Sequence, residues 1–115
     1  MTAKIYHNPR CKKSREGLQL LEENGIEVEV IKYLDEIPSV EVLKNIIKKL
    51  DIEPIDLVRK NEKVWKENFK GKVLSDEDLF EAMHHHPKLI ERPIVIVNQN
   101  AVIGRPKEQI LNLIQ

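Results

Sequence analysis

The feature that most constrains this chain is the segment Tyr6–Arg15, which contains Cys11, the only cysteine among 115 residues. A short apolar run, Ala3–Tyr6, precedes the segment, and an amphipathic run, Leu18–Leu21, follows it. Asn8-Pro9 is a turn signal because a proline disfavours the helical region for the residue before it. The pattern therefore predicts a strand, a tight turn and a helix, with Cys11 at or just before the first helical turn.

The predicted position of Cys11 favours a reactive thiol. The first turn of a helix leaves backbone N–H groups unpaired and carries roughly half a positive charge. Cations flank the sulfur on both sides, at Arg10, Lys12, Lys13 and Arg15. Both effects favour the thiolate, which is the nucleophilic form of cysteine, and the same N–H groups can hold an oxyanion. The alternative for a lone cysteine is a small buried apolar residue, which these charged neighbours disfavour.

Composition narrows the choice of partners and location. The chain has 19 Lys plus Arg and 19 Asp plus Glu, so a net charge of zero gives no general attraction to nucleic acid or to an anionic membrane. A single cysteine cannot form an internal disulfide, which suits a reducing cytoplasm. No apolar run approaches the roughly 20 residues of a membrane span, and the N-terminus lacks a signal segment. We expect a soluble cytoplasmic protein, and we take it to be a monomer.

The hydrophobic pattern predicts that the first part of the chain is a β-α-β unit. A strand at Ala3–Tyr6 is followed by a helix over residues 12–24, which Asn24-Gly25 terminates, and by a strand at Glu27–Lys32. Two strands joined by one helix most simply form a parallel, right-handed unit.

The rest of the chain predicts a block of helices and then a β-β-α ending. Helix starts are marked by Ser39, Pro54 and Ser75, and the block ends near His86. Strands over residues 93–97 and 101–103 then precede a closing helix that has Pro106 in its first turn. We predict an α/β protein of one domain, residues 1–115, with a helical insertion at about 39–86.

Four motifs carry a resemblance to a known family. They are His7-Asn8-Pro9-x-Cys11-x-x-Ser14-Arg15, Leu57-x-Arg59-Lys60-Asn61, His86-Pro87-x-Leu89-Ile90-x-Arg92-Pro93-Ile94-Val95 and Gly104-Arg105-Pro106. Together they resemble the glutaredoxin-coupled arsenate reductase (ArsC) family, from about residue 4 to the C-terminus. The resemblance implies a thioredoxin-like fold with a small mixed sheet, in which a helical block separates β-α-β from β-β-α.

The resemblance also implies a reaction. Cys11 is expected to attack arsenate and form a thioarsenate ester, which glutathione and then glutaredoxin reduce, with release of arsenite. Arg59, Arg92 and Arg105 match the arginines that bind the oxyanion and stabilise the arsenic intermediate. Guanidinium groups suit this role because they bind oxyanions through paired hydrogen bonds. Glutathione is expected as a co-substrate and no cofactor as a bound group, and a lone cysteine needs such an external thiol.

Other positions match residues that support the thiol. His7 and Ser14 match residues that help to lower the pKa of the cysteine in the family, and Arg15 is the nearby cation that we group with them. Arg92-Pro93 matches the cis-proline that precedes the third strand of thioredoxin-like folds.

Three other kinds of site do not fit the residues. A Cys-x5-Arg phosphate loop fails because the sixth residue after Cys11 is Gly17, and a dithiol pair fails because Ser14 replaces the second cysteine. The run His84–His86 is a candidate metal-binding site. Consecutive residues on a helix point in different directions, however, and no Cys or carboxylate pattern completes a site, so we expect no metal.

Two further functions stay open. Lys12 and Lys13 stand where arsenate reductases usually carry small residues, so a glutathione-dependent thiol oxidoreductase with another substrate is an alternative. The family's relatives also include Spx-like regulators, which bind RNA polymerase. Those regulators typically carry a Cys-x-x-Cys switch, and Ser14 argues against its redox part.

Overall fold

One mixed sheet of four strands joins the two ends of the chain. In the computed structural model, which describes residues 1–115, the strands are β1 (Thr2–His7), β2 (Glu27–Lys32), β3 (Ile94–Val97) and β4 (Asn100–Ile103). Their order is β2-β1-β3-β4; β1 is parallel to β2, and β3 is antiparallel to both β1 and β4. The predicted α/β class and thioredoxin-like arrangement are confirmed.

Five α-helices and two short 3-10 helices complete the chain. They are α1 (Lys12–Glu23), α2 (Val40–Leu50), α3 (Lys63–Asn68), α4 (Asp76–His85) and α5 (Glu108–Ile114), with 3-10 helices at Pro54–Leu57 and Pro87–Leu89. Helix α1 ends as predicted, because Gly25 adopts a φ of +69°, which glycine tolerates without a steric penalty.

The chain divides into two compact units. The first contains residues 1–36 and 92–115, and the second contains residues 37–91. The helical insertion predicted at about 39–86 lies within the second unit. That residues 1–115 behave as a single domain stays a prediction.

The core of the first unit lies on the sheet. Ile5 of β1 and Val95 of β3 are opposite each other in register, and both are fully buried. Leu21 of α1 and Ile110 of α5 are fully buried against the same cluster. Burying side chains of this size contributes roughly 1.5–3 kcal/mol each, so these contacts fix α1 to the sheet that carries the start of the Cys11 segment.

In the second unit, serine caps mark the starts of α2 and α4. The Ser39 hydroxyl accepts a hydrogen bond from the Val42 amide at 3.2 Å and so begins α2. Ser75 and Asp78 form a reciprocal capping box at the start of α4. An ion pair of 3.1 Å between Lys44 and Glu77 joins these two helices.

Near two prolines the boundaries differ from the predictions. Strand β3 begins at Ile94, one residue later than predicted, because Pro93 has no N–H to donate to the sheet. Helix α5 begins at Glu108, so the placement of Pro106 in its first turn is wrong. Pro106 instead follows a cis peptide bond, and its carbonyl accepts a hydrogen bond from the Gln109 amide in the turn before the helix.

None of the helices has both the length and the apolar character required to cross a membrane.

Candidate active site

A tight loop between β1 and α1 positions Cys11. The Asn8 carbonyl accepts a hydrogen bond from the Cys11 amide at 3.0 Å, and the Asn8 side chain accepts one from the Arg10 amide at 3.0 Å. Cys11 is the N-cap residue of α1 with extended backbone angles (φ −95°, ψ 121°), and its carbonyl accepts the first helical hydrogen bond, from Arg15. The thiol, which is partly exposed, therefore lies at the positive end of α1.

A buried hydrogen-bond network connects the loop to the end of β1 and to the first turn of α1. The Ser14 hydroxyl is fully buried, lies 2.7 Å from Nδ1 of His7, and accepts a hydrogen bond from the Asn8 amide at 3.0 Å. The Ser14 hydroxyl and Nδ1 of His7 share one hydrogen bond, and the tautomer of the imidazole sets which of the two groups donates.

The surroundings of His7 keep its imidazole neutral. Burial lowers the pKa of His7, and the positive charges of Lys32 and Arg15 lower it further; together they outweigh the opposite effect of a backbone hydrogen bond at Ser14. Lys32 is the register partner of His7 on β2. His7 therefore orients Ser14 and the loop, and it carries no positive charge to offer the thiolate at neutral pH.

Arg92 is the cation that acts on the thiol. Burial raises the pKa of Cys11, but a hydrogen bond from the Arg92 side chain, the charge of Arg92, and the backbone amides of Ser14 and Lys13 outweigh burial, so the pKa lies below the ordinary value of a thiol. Two of these groups are the free N–H groups of the first turn of α1, as the sequence predicts. The contribution of Arg92, which is 81 positions away in the chain, was not foreseen for the thiol and has no local sequence signal.

Arg15 makes a different contact. Its guanidinium donates to the Pro9 carbonyl at 2.9 Å and so closes the loop from the solvent side. A role of Arg15 in lowering the pKa of the Cys11 thiol stays a prediction.

Close packing on Pro93 sets the position of Arg92. The Arg92–Pro93 peptide bond is cis, as the resemblance implies, and the Pro93 carbonyl accepts a hydrogen bond from the Gly104 amide at 2.8 Å. A Cβ atom at Gly17 would lie 3.0 Å from Cγ of Pro93, and one at Gly104 would lie 3.0 Å from the same atom and 2.8 Å from Cδ1 of Ile110. Both glycines thus permit a backbone approach that any side chain would obstruct.

The other two predicted arginines lie in different units. Arg105 follows Gly104 directly, belongs to the same unit as Cys11 and Arg92, and is partly buried. Arg59 belongs to the second unit, where its guanidinium lies near the carboxylates of Glu62 and Glu91. The structure therefore brings Arg92 to the thiol directly, and oxyanion binding by Arg59 and Arg105 stays a prediction.

The three consecutive histidines point to three different neighbours. His84 donates from Nδ1 to the Pro38 carbonyl at 2.9 Å, His85 lies 3.3 Å from the Glu81 carboxylate, and His86 contacts the edge of the Phe69 ring. No group of three or more His, Cys, Asp or Glu side chains in the chain is arranged to hold a metal ion.

This arrangement is suited to nucleophilic chemistry on an anion. A thiol of lowered pKa, the backbone N–H groups of a helix start and one guanidinium come together here. The N–H groups and the guanidinium attract and stabilise negative charge, and the sulfur supplies the electron pair. Cys11 is also the only thiol, so no second thiol of the chain can displace a group bound to its sulfur.

Comparison with known proteins agrees with this geometry. The ArsC family pattern matches residues 6–113. The protein YfgD of Escherichia coli is 49% identical over 113 residues, covering 96% of this chain and 95% of YfgD, and an arsenate reductase of Neisseria meningitidis is 46% identical over 109 residues, covering 93% of each. The solved structure of an arsenate reductase from Vibrio cholerae superimposes with a TM-score of 0.94 at 53% identity, covering 97% of each chain. On sequence and structure together, this chain belongs to the ArsC family.

Proposed function

We propose that this protein is an arsenate reductase that uses Cys11 as its nucleophile and takes its electrons from glutathione and glutaredoxin. The observation that carries the proposal is the placement of Cys11 as the N-cap residue of α1, where the Arg92 side chain and the backbone amides of Ser14 and Lys13 lower the pKa of its thiol against the opposing effect of burial. Relatives named arsenate reductase, at 46% and 53% identity over nearly the whole chain, support the choice of substrate.

The first step is attack of the Cys11 thiolate on arsenic(V). A sulfur–arsenic bond forms and one arsenate oxygen leaves, as water once protonated, which gives a thioarsenate ester. Negative charge on the arsenate oxygens is stabilised by the free N–H groups of the first turn of α1 and by the guanidinium of Arg92.

The later steps need two electrons to convert arsenic(V) to arsenic(III). Two external thiols supply them, one from glutathione and one from glutaredoxin, and end joined as a mixed disulfide. Arsenite leaves and Cys11 returns to the thiolate, so the chain is unchanged after each cycle. The presence of one cysteine supports this use of outside thiols, because no internal thiol can displace the intermediate.

We assign oxyanion binding to all three arginines, and the support for the assignment differs among them. Arg92 has support from its bond to Cys11, whereas the roles of Arg59 and Arg105 are supported by their match to the family motifs. A planar guanidinium binds two oxygens of a tetrahedral anion at once, and it keeps its charge at every physiological pH. In this account the protein works in the cytoplasm as a monomer without a bound cofactor.

The test is a coupled assay that follows NADPH consumption with arsenate, glutathione, glutaredoxin and glutathione reductase. The proposal requires turnover that depends on arsenate and disappears in Cys11→Ser, with Gln19→Ala of the exposed side of α1 as the matched control that keeps turnover. Turnover that survives in Cys11→Ser would contradict the mechanism. A wild-type chain that reduces glutathione mixed disulfides but not arsenate would instead support the alternative thiol oxidoreductase.

A further inference from the structure

The guanidinium of Arg59 is held in an unusual state. Its Nε and Nη1 atoms are fully buried and have no hydrogen-bond acceptor among the protein atoms. The nearest carboxylates are those of Glu62, 3.5 Å from Nε, and Glu91, 3.7 Å from Nη1. Charge-assisted N–H···O bonds are typically about 2.7–2.9 Å long. The two carboxylates therefore more than offset the single positive charge of Arg59, yet they form no hydrogen bond with Nε or Nη1.

The backbone builds this arrangement. The segments around Val58 and Ile90 pair as an antiparallel bridge, and the amides of Arg59 and Glu91 each donate to a carbonyl of the opposite segment, at 2.7 and 2.9 Å. The amide of Glu62 donates to the Arg59 carbonyl at 3.1 Å in the following turn. Both carboxylates are thus placed beside the guanidinium by main-chain hydrogen bonds.

Partial burial strengthens the Coulomb interaction between Arg59 and the two carboxylates. The side chain of Arg59 is 17% exposed and those of Glu62 and Glu91 are each 26% exposed. The nearby ion pair of Lys63 and Glu67, by contrast, has side chains that are 87% and 58% exposed. Coulomb interactions between partly buried groups are screened much less by water and salt than those between exposed groups. The two carboxylates therefore substantially reduce the attraction of Arg59 for any further anion.

We propose that Glu62 and Glu91 form a carboxylate clamp on Arg59 that weakens its binding of oxyanions. The inference rests on the oxyanion-binding role of Arg59 proposed above. Phosphate and sulfate resemble arsenate in shape and charge but form no bond with the thiol. The clamp lowers the noncovalent affinity of Arg59 for all three anions alike, so a smaller fraction of the protein holds phosphate or sulfate at a given concentration.

The experiment is a titration of the protein with sulfate, which has the same tetrahedral shape and cannot be reduced by the thiol. Affinity is measured by calorimetry for the wild type, Glu91→Gln and Glu62→Gln. Each variant is expected to bind sulfate about three- to tenfold more tightly, because glutamine keeps the shape and removes the competing charge. Glu67→Gln removes an equal charge from the same unit away from the clamp, and its affinity is expected to stay within about twofold of the wild type.

A double-mutant cycle assigns the effect to Arg59. In an Arg59→Ala background, the gain from Glu91→Gln and from Glu62→Gln is expected to vanish. The same gain in Glu67→Gln or in the Arg59→Ala background would overturn the clamp, because the cause would then be net charge. An unchanged or weaker affinity in both glutamine variants would also overturn it, as would an Arg59→Ala chain that binds sulfate like the wild type.

Urea unfolding tests whether each variant is folded. If one of the two glutamine variants does not fold, the other still tests the clamp. Because sulfate binding needs no turnover, a missing clamp effect and a missing arsenate reductase activity are separate results.

Discussion

The reactivity of Cys11 depends on the individual residues that surround its sulfur. Burial raises the pKa of the Cys11 thiol, but the Arg92 side chain and the backbone amides of Ser14 and Lys13 lower it by more. Ser14 stabilises the loop, because its hydroxyl forms hydrogen bonds with His7 and with the Asn8 amide. The chemistry of the thiol and the stability of the loop are therefore assigned to different side chains, which makes them separable by mutation.

Ser14→Ala tests the structural part of this division. The change leaves the Asn8 amide and Nδ1 of His7 without their buried partner, which costs about 1–3 kcal/mol. Urea unfolding is expected to show this loss of stability. The backbone amide of residue 14 is retained, so the pKa of Cys11 is expected to move less than in an Arg92 variant. A variant as stable as the wild type would show that the network contributes little.

His7 gives the protein a pH dependence of known sign. The pKa of His7 is lowered in the folded chain by burial and by Lys32, so the unfolded chain binds more protons as the pH falls below about 6.5. Stability from this group is present above that pH and is lost as the pH falls toward the folded pKa. Unfolding free energy measured between pH 7.5 and 5 is expected to fall more steeply for the wild type than for His7→Gln. Equal slopes would contradict this assignment.

At the scale of elements, the position of Arg92 depends on how α1 approaches the segment before β3. Gly17 of α1 lies against the Pro93 ring, and Cys11 is the N-cap residue of the same helix. A change in the distance between α1 and Pro93 therefore changes the distance between the thiol and the guanidinium.

Gly17→Ala tests this coupling. Alanine normally stabilises a helix interior by up to about 1 kcal/mol relative to glycine. Here the new methyl group would lie 3.0 Å from Pro93 and 3.1 Å from Cδ1 of Ile110. We expect the variant to be destabilised and the pKa of Cys11 to rise, as measured by urea unfolding and by thiol alkylation.

Ile110→Val provides the compensating change, because it removes the Cδ1 atom that the new methyl group meets. The double variant is expected to recover part of the lost stability and of the lowered thiol pKa. A Gly17→Ala chain that is more stable than the wild type, with an unshifted thiol, would contradict the coupling.

The elements themselves were largely predictable from local sequence. The strand, turn and helix around Cys11 follow from Asn8-Pro9 and Asn24-Gly25, and helix starts follow from Ser39 and Ser75. Helix α5 was misplaced at Pro106 because a tolerated proline in a first turn and a proline just before a helix have the same sequence pattern. Its cis peptide bond has no local signal at all.

In the molecule as a whole, contacts between segments far apart in the chain could not be predicted from the sequence. Arg92 was singled out by its family motif as an oxyanion ligand, but its bond to Cys11 depends on the order β2-β1-β3-β4, which places β3 beside β1. The carboxylates around Arg59 were missed for the same reason, since Glu91 reaches it through a bridge between Val58 and Ile90. Spacing along the chain carries no information about such contacts.

One thiol for the whole chain gives a prediction about stoichiometry. Iodoacetamide is expected to add a single adduct, seen by intact-protein mass spectrometry, and the loss of arsenate turnover is expected to follow that adduct in proportion. Sulfate is expected to slow the modification because it occupies the oxyanion site. Turnover that persists in the fully alkylated protein would contradict the account.

The rate of Cys11 alkylation as a function of pH, in the wild type and in Arg92→Ala, shows whether Arg92 activates the only thiol. The wild-type midpoint is expected below about 8.5, the value of a free thiol, and the midpoint of the variant is expected at clearly higher pH. A wild-type midpoint at or above that value, or the same curve for both proteins, would contradict this activation.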